Sequence, residues 1–181
     1  MHEKINVGHI SMGTKVRRFV WNVVYFTLFR PFPTKLFWPW RWLLLRLFGA
    51  DIPFKALVYS SVKIWAPWNL KMGLHSCLGP YVVCYNQAMV TVEQYATVSQ
   101  YACLCTAGHD TSEVNNKYTS LVISPITICR NAWVAMKAFV GMGVVVGERS
   151  IVGATASVFK DVTPFTIVGG NPAKIINQIT K

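Results

Sequence analysis

A six-residue repeat in the second half of the chain is the feature that most constrains its fold. From Ile128 to Val158 an aliphatic residue returns at every sixth position, and a small residue follows it in all but the last repeat. The aliphatic positions are Ile128, Val134, Val140, Val146, Val152 and Val158, and the small residues are Cys129, Ala135, Gly141, Gly147 and Gly153. A period of six fits neither the α-helix nor the strict alternation of a strand. It fits a coil of flat faces, in which each face is a short strand followed by a tight turn.

The same frame is present earlier in the chain, between short insertions. It comprises Met72, Leu78 and Cys84, and then Val92, Val98 and Leu104. Equivalent strands of stacked coils lie ~4.8 Å apart, so the aliphatic side chains would form a narrow core and the small residues would fit its crowded corners. Glycine at these places would suit turn backbones with positive φ. The sequence therefore predicts a mainly-β chain that folds as a parallel β-helix.

Stacked coils leave an open face at each end, so both ends need a cap. The predicted division is an N-terminal tail and helical cap over residues 1–57, a β-helix over residues 58–170 and a short C-terminal helix over residues 171–181. Within the β-helix, residues 109–127 are an insertion that departs from the repeat. Asn171–Pro172 would start the C-terminal helix as its cap and first residue.

Two helices are predicted between Thr14 and Gly49, after a loose polar tail over residues 1–13. Thr14 would cap the first helix, Arg30–Pro31 would end it, and Gly49 would end the second. The first helix carries Val16, Val20 and Val23 on one side and Trp21, Tyr25 and Phe29 on the other. The second has a stripe of Trp40, Leu43, Leu44 and Leu47, with Arg41 and Arg46 off the stripe. Apolar surface on two sides of the first helix indicates burial on more than one side or contact with lipid.

The positive charge is concentrated in the N-terminal part of the chain. Of a net charge of +11, residues 1–71 contribute most, with eleven Lys or Arg against Glu3 and Asp51. A basic segment rich in aromatic residues suits an anionic membrane surface or nucleic acid, and a solvated face is the simpler alternative. The best apolar run, Phe19–Phe29, is shorter than the ~20 residues that span a bilayer. Five cysteines without a CxxC pair, and no visible signal peptide, predict free thiols in the cytoplasm.

Several strings of the sequence resemble the hexapeptide-repeat acyltransferases. The segment Cys105-Thr-Ala-Gly-His109-Asp110 is similar to the family's catalytic stretch, and Ala132-Trp133-Val134-Ala135 to the coil that begins its coenzyme A groove. Lys160-Asp161-Val162, followed by Gly170-Asn171-Pro172-Ala173-Lys174, is similar to the C-terminal signature of the sugar O-acetyltransferase branch. The hydrophobic helices, with Phe29-Arg30-Pro31, are most similar to those of the colanic-acid-type acetyltransferases of exopolysaccharide clusters. The resemblance implies a left-handed β-helix and a homotrimer with active sites between subunits.

The resemblance also implies the reaction, which is direct transfer of acetyl from acetyl-CoA to a saccharide hydroxyl in polysaccharide biosynthesis, with His109 as general base. A thioester is already activated, so the enzyme needs a base, a donor to the oxyanion and positioning. His109 opens the insertion, where a loop leaves a rigid wall. Asn86 and Gln87 match the acceptor side of the family's site, with turn chemistry as their alternative role. Asp110 would either orient His109 or cap the loop, and His75 is expected on an outward turn at the surface.

For coenzyme A, the resemblance implies a groove of six residues. These are Trp133, Met136, Ala154, Phe159, Lys160 and Lys174. Met136 and Ala154 would act through backbone groups, and the two lysines suit the phosphates of the nucleotide. Trp133 would either wall the pantetheine arm or serve as a packing residue. Phe159 stands where the family usually has threonine, so a hydroxyl contact to coenzyme A is lost or replaced by packing.

Four other functions compete with this prediction. Zinc carbonic anhydrases share the fold but need three His ligands, whereas the coil region has only His75 and His109; no metal is therefore expected. A non-catalytic scaffold at the membrane would need neither His109 nor the groove lysines. N-acetylation of an amino-sugar is not separable by these motifs. Nucleic-acid binding lacks a supporting motif and is not expected. The basic, Trp-rich helices would either rest on the inner membrane face near a lipid-linked oligosaccharide or form a cap buried in the trimer.

Overall fold

The computed structural model describes residues 5–8, 10–33, 36–109 and 120–180, and it confirms the parallel β-helix. Short strands run around three faces, and each strand of a face pairs in parallel with its equivalent one coil away. The first face contains β2 (Leu57–Val58), β5 (Cys77–Leu78), β8 (Thr97–Val98), β13 (Trp133–Val134), β16 (Ile151–Val152) and β18 (Thr166–Gly169). The second contains β3 (Lys63–Ile64), β6 (Val83–Tyr85), β9 (Cys103–Cys105), β14 (Phe139–Val140) and β17 (Ser157–Val158). The third contains β4 (Leu70–Met72), β7 (Val90–Val92), β12 (Ile126–Ile128) and β15 (Val145–Val146).

The register of the faces accounts for the six-residue period. Residues paired across adjacent coils include Ile128 with Val92 and Val146, and Val134 with Val98 and Val152. All six aliphatic residues of the repeat from Ile128 to Val158 are at most 2% exposed. Successive members therefore reach the central axis from successive faces. Full burial of such a side chain contributes about 1.5–3 kcal/mol, so the stacked aliphatics are the main stabilising feature of the domain.

The corners of the coil place non-glycine residues in the left-handed backbone region. His75 (φ 57°) and Tyr95 (φ 60°) occupy equivalent corner positions, and their ring centroids lie 5.3 Å apart in parallel planes. Tyr81 and Tyr101 form the same kind of stack at another corner, with centroids 5.0 Å apart. This backbone conformation costs an L-residue ~1–2 kcal/mol, and stacking of the side chains offsets part of that cost. His75 is thus an exposed turn residue, as predicted.

The repeat glycines serve close packing of coils rather than positive φ, so that part of the prediction is wrong. Gly147 is not among the glycines with positive φ, which are Gly49, Gly143 and Gly170. A Cβ atom at Gly147 would lie 2.5 Å from the backbone nitrogen of Pro164 and 2.6 Å from the carbonyl oxygen of Val162. The next coil therefore occupies the space that a side chain would need.

Gly73 offers a test of this packing. A Cβ atom there would lie 2.4 Å from the backbone nitrogen of Gln94, so Gly73→Ala has to separate two coils. We expect its free energy of unfolding to fall by about 1–3 kcal/mol or more, measured by urea denaturation. Gly13→Ala is the matched control, because nothing lies within 4 Å of its Cβ position. Equal stability of the two variants would contradict the close approach described here.

The N-terminal cap is helical as predicted, but its first helix begins earlier. α1 spans Met12–Val24 and continues as a π-helical turn over Tyr25–Phe29. Ser11, not Thr14, is the cap, and its hydroxyl accepts a bond from the backbone N–H of Thr14 at 3.2 Å. Of the two apolar sides, the aromatic one is buried, and the Trp21 indole N–H donates to the Ile64 carbonyl at 2.8 Å. The valine side is exposed.

The second helix, α2 (Trp38–Leu47), buries a different stripe from the predicted one. Its buried residues are Trp38, Arg41, Leu44 and Leu45, whereas Trp40, Leu43 and Leu47 are exposed. Arg41 can be buried because its guanidinium donates to the carbonyls of Phe32 and Pro33, at 3.3 and 2.9 Å. These two residues lie in the segment that precedes α2. Gly49 follows the helix with φ 90°, as expected of its end. No helix within the described ranges is long and apolar enough to cross a membrane.

The predicted C-terminal helix is wrong, because the segment forms a strand. β19 (Lys174–Gln178) turns back and pairs antiparallel with β18. The β-branched Ile175 and Ile176 favour an extended backbone. The pairing also covers the last open edge of the first face, whose N–H and C=O groups would otherwise remain unpaired.

Candidate active site

The insertion predicted at residues 109–127 leaves the β-helix as a hairpin that carries His109. β10 (Ala107–His109) pairs antiparallel with β11 (Leu121–Ile123), and His109 lies opposite Leu121. Residues 110–119, with the predicted site residue Asp110, lie outside the described residues. A third strand, β1 (Ile5–Gly8), pairs antiparallel with β11. The expectation of a loose tail over residues 1–13 is therefore wrong for this part, since β1 takes up the free edge of the hairpin.

The hairpin departs from the corner between the second and third faces and contacts the next turn of that corner. Gly108 lies against Met142, because a Cβ atom at Gly108 would be 3.1 Å from the Met142 methyl carbon. Met142 belongs to the turn between β14 and β15. His109 is thus held at the end of a three-residue strand that is packed on the coil C-terminal to it, and its side chain is exposed.

The turn of Asn86 and Gln87 occupies the same corner, one coil earlier. Asn86 is fully buried, accepts from the backbone N–H of Ala66 at 3.0 Å, and donates to the carbonyls of Ala66 and Asn69 at 2.7 and 3.0 Å. Asn69 in turn donates to the carbonyl of Gln87 at 2.7 Å. The side chain of Asn86 therefore braces the turn from inside. Gln87 is partly exposed, and its amide donates to the Tyr85 hydroxyl at 2.8 Å.

Thr106 joins this turn to the base of the hairpin, a role that was not predicted. Its hydroxyl donates to the Tyr85 carbonyl and accepts from the Ala88 N–H, each at 3.0 Å. Its own carbonyl accepts from the backbone N–H of Ser124 on the returning strand at 2.9 Å. The entry and exit of the hairpin are thereby fixed to the turn of Gln87. No sequence signal marks Thr106, because its partners become neighbours only when the coils stack.

Farther along, the same corner forms one wall of a cavity of 520 Å³ at the last coil. Residues of all three faces line this cavity, and three of the predicted coenzyme A residues are among them. Phe159 and Lys160 line it from the turn after β17, and Lys174 lines it from the start of β19. The Ala173 N–H donates to the Ser157 carbonyl at 2.8 Å, which fixes the segment of Lys174 beside β17. Phe159 packs on Phe139 with ring centroids 5.6 Å apart, so it supplies apolar surface where the family's threonine would supply a hydroxyl.

Charge in this cavity is mainly positive. Asp161 also lines it, but its carboxylate accepts a bond from the backbone N–H of Val145 at 2.9 Å. Lys160 and Lys174 therefore line a pocket whose other surface is largely apolar, with Val158, Val162 and Val168 among its lining residues. This combination suits an anionic ligand with an apolar arm.

The other three predicted coenzyme A residues lie elsewhere in a single chain. Met136 and Ala154 occupy stacked turns at the corner between the first and second faces, where the Thr155 N–H donates to the Met136 carbonyl at 3.0 Å. Trp133 stands on the first face, half exposed, and its indole N–H donates to the Ser99 hydroxyl at 2.8 Å. The second face separates these residues from the corner of His109.

The cysteines have the character of packing residues. All five are free thiols in the structure. Burial, with a smaller contribution from Cys105, raises the pKa of Cys103 to about 11, and burial raises the pKa of Cys77 and Cys84 as well. A raised pKa keeps a thiol protonated and unreactive at neutral pH. Within the described ranges no cluster of three or more His, Cys, Asp or Glu side chains could hold a metal ion.

The chain is similar to known acetyltransferases over nearly all of its length. It is 35% identical over 166 residues, 92% of this chain and 89% of the other, to WcaF of Escherichia coli (strain K12), which is provisionally named a colanic acid biosynthesis acetyltransferase. It is 29% identical over 90 residues, half of this chain and 44% of the other, to the galactoside O-acetyltransferase of the same organism. The crystal structure of a hexapeptide-repeat acetyltransferase of Vibrio cholerae with acetyl-CoA superimposes with a TM-score of 0.82, covering 94% of this chain and 91% of the other at 22% identity. No protein-family model matches the chain.

Fold and similarity together define a left-handed β-helix acyltransferase of the hexapeptide-repeat class. Within that class, the chain belongs to the family of the colanic acid acetyltransferase WcaF.

Proposed function

We propose that the protein transfers the acetyl group of acetyl-CoA to a hydroxyl of a saccharide that serves as a polysaccharide precursor. The observation that carries this proposal is the arrangement of one corner of the β-helix. His109 leaves that corner on a hairpin, and two coils farther along the same corner forms one wall of the lysine-lined cavity. A base and an anion-binding pocket on one rigid edge are what acyl transfer from a coenzyme A thioester requires.

In the proposed reaction, His109 accepts the proton of the sugar hydroxyl as the oxygen attacks the thioester carbonyl. A carbon–oxygen bond forms, and the tetrahedral intermediate collapses with cleavage of the carbon–sulfur bond. The coenzyme A thiolate leaves and takes the proton from the His109 imidazolium, so the base is regenerated. No acyl-enzyme is formed, so the proposed reaction needs no cysteine nucleophile.

Each predicted site residue that the structure describes has a place in this proposal. Lys160 and Lys174 bind the coenzyme A phosphates, and Phe159 provides apolar surface beside them. Gln87 contacts the acceptor, whereas Asn86 acts indirectly by holding the Gln87 turn. Met136, Ala154 and Trp133 lie on other edges, so they reach coenzyme A only if a neighbouring subunit presents them. We therefore propose a homotrimer in which each site lies between two subunits.

Turnover on a panel of saccharides tests the proposal. Release of the coenzyme A thiol is measured with neutral, acidic and amino sugars, with acetyl-CoA hydrolysis in the absence of sugar as background. Thiol release that depends on a saccharide hydroxyl supports O-acetylation. Release that occurs only with amino sugars would favour N-acetylation, and binding of coenzyme A without turnover on any sugar would leave a non-catalytic scaffold.

We further propose that the helical cap rests on the inner face of the membrane. The exposed side of α1 and of the π-helical turn that follows it carries an apolar stripe made of Met12, Val16, Phe19, Val20, Val23 and Phe26. Lys15 and Arg30 are exposed on the same segment, and residues 5–50 contain seven basic residues and no acidic ones. An apolar stripe flanked by cations fits the surface of an anionic bilayer.

Flotation with liposomes tests this contact. We expect the protein to float with phosphatidylglycerol vesicles at low salt, and a Phe19→Ser/Val23→Ser variant to remain in the bottom fraction. Phosphatidylcholine vesicles are the control for charge. Failure to bind anionic vesicles, together with a change of oligomeric state in the double variant, would show instead that another subunit covers the stripe.

A further inference from the structure

A second cavity lies beneath the helical cap, on the second face of the β-helix. Its volume is 170 Å³, which is room for roughly six water molecules at ~30 Å³ each. The buried side of α1 forms one wall, with Arg18 and Tyr25, and β3 and β6 form the other, with Lys63, Trp65 and Tyr85. Neither the coenzyme A residues nor His109 line this cavity.

The cavity is joined to the proposed acceptor side of the site. Tyr85 pairs with Cys105 on the neighbouring strand, and that strand leads through Thr106 into the hairpin of His109. The hydroxyl of Tyr85 also accepts the amide of Gln87 at 2.8 Å. A ligand seated here would thus lie beside the Gln87 turn, one coil from the strand that carries the base.

Among the described residues, no carboxylate forms an ion pair with the cations of the cavity. The Arg18 guanidinium stacks on the Trp65 ring at 4.1 Å from its centroid, and the Arg18 Nε atom is buried with no hydrogen-bond partner. Lys63 stands on the opposite wall, which also carries Trp65. Among the described residues no carboxylate lines the cavity. The ion pairs found among these residues lie elsewhere in the chain and are Arg46–Asp51, Lys71–Asp51 and Arg130–Glu148.

A buried N–H without an acceptor is costly, so the Arg18 guanidinium is held in this position with one of its donors unsatisfied. When a guanidinium stacks on a ring, its N–H groups point outward in the guanidinium plane. A carboxylate or a phosphate in that plane can accept two of them. Lys63 adds a second positive charge. The rings of Trp65 and Tyr85, whose centroids lie 6.1 Å apart, provide apolar surface for the atoms that carry the anion.

We propose that this cavity binds an anionic oxygen group, carboxylate or phosphate, of the saccharide acceptor, and that the enzyme selects acidic or phosphorylated saccharides through Arg18 and Lys63. The role of this cavity in substrate selection rests on the proposed acetylation of saccharides. The cavity holds an anionic group with a few attached atoms, so the remainder of the saccharide lies outside it, toward the Gln87 turn.

Binding of matched sugars to the full chain tests the proposal. Affinities of methyl β-glucoside, methyl β-glucuronide and glucose 1-phosphate are measured by calorimetry for the wild type, Arg18→Gln and Lys63→Gln. We expect an anionic sugar to bind the wild type about 10- to 100-fold more tightly than the neutral one, and Arg18→Gln to abolish that difference. Preference for the glucuronide identifies a carboxylate site, and preference for the sugar phosphate identifies a phosphate site.

Two controls keep the outcome decisive. Lys55→Gln removes an exposed lysine at another place and should retain the preference, and Lys63→Gln, at an exposed position, serves if Arg18→Gln does not fold. Equal binding of neutral and anionic sugars, or no binding of either anion, would overturn the proposal even if saccharides are acetylated. Arg18-dependent anion binding without acetylation of any sugar would retain the anion site and overturn the proposed function.

Discussion

Replacing His109 by alanine is expected to lower kcat for acetyl transfer by about 10²–10⁴-fold, the usual contribution of a positioned general base. The side chain lies at the end of β10, away from the β-helix core and from the lysine-lined cavity. Its loss should therefore leave the affinity for acetyl-CoA and the melting temperature close to those of the wild type. Steady-state kinetics with an acceptor found in the saccharide panel gives kcat, and calorimetry gives coenzyme A binding.

His109→Gln and His75→Ala complete this experiment. Glutamine retains a hydrogen-bonding side chain but cannot take up the proton, so it should be nearly as inactive as alanine. His75 is the matched control, since it is an exposed histidine of the β-helix that stacks on Tyr95 at a corner. Its replacement should leave turnover unchanged. Wild-type turnover in both His109 variants would exclude this residue as the base.

Replacing Lys160 and Lys174 together by alanine is expected to raise the KM for acetyl-CoA by roughly 10- to 100-fold, because two charge-assisted contacts to phosphate are lost. kcat should change little, since these contacts are the same in the ground state and the transition state. Both lysines line the same cavity and are exposed to solvent, so the phosphates of a bound ligand can reach them. The measurement is the initial rate as a function of acetyl-CoA concentration.

Two further measurements distinguish a specific contact between these lysines and the coenzyme A phosphates from a general effect of positive charge. Acetyl-CoA lacking the 3′-phosphate should bind the wild type more weakly, and this difference should shrink in the double variant if a lysine binds that group. Lys55→Ala/Lys71→Ala removes two exposed lysines at the opposite end of the β-helix and should leave KM unchanged. An unaltered KM in the Lys160/Lys174 variant would place coenzyme A outside this cavity.

The β-helix itself could be predicted from the sequence because its signal is local and repeated. Val134, Val140 and Val146 each occupy the same place in a six-residue unit, so a single rule buries all of them. The backbone conformation of the corners could not be predicted from the repeat alone. Tyr81 and Tyr101 adopt the left-handed conformation although neither is a glycine, and their stacking is visible only once the coils are in register.

The ends of the chain were harder to predict because their structure depends on distant partners. β1 forms a strand by pairing with β11, more than a hundred residues away, and β19 forms one by pairing with the edge left by β18. Local patterns could not indicate either edge. In the same way, the aromatic side of α1 is buried rather than the valine side because Trp21 hydrogen-bonds to the distant Ile64 on the β-helix.

In the candidate site too, residues with a local sequence signal could be predicted and residues that depend on distant partners could not. His109 could be identified because the repeat stops there and because the string around it resembles the family's catalytic stretch. Asn86 was also predicted, from its match to the acceptor side of the family's site, but the structure shows its amide bonded to Ala66 and Asn69 inside the coil. The cation-lined cavity beneath α1 had no sequence signal, since Arg18 and Lys63 meet there only through the docking of the helical cap.

The most direct test of the proposed reaction is identification of its product. Wild type and His109→Ala are incubated with acetyl-CoA and the best acceptor of the panel, and the saccharide is analysed by NMR while free coenzyme A is quantified. We predict one new acetyl ester on a sugar oxygen, formed in equal amount with free coenzyme A by the wild type and almost absent with His109→Ala. An acetyl group on the protein, an amide in place of an ester, or equal ester formation by both proteins would contradict direct O-acetylation with His109 as the base.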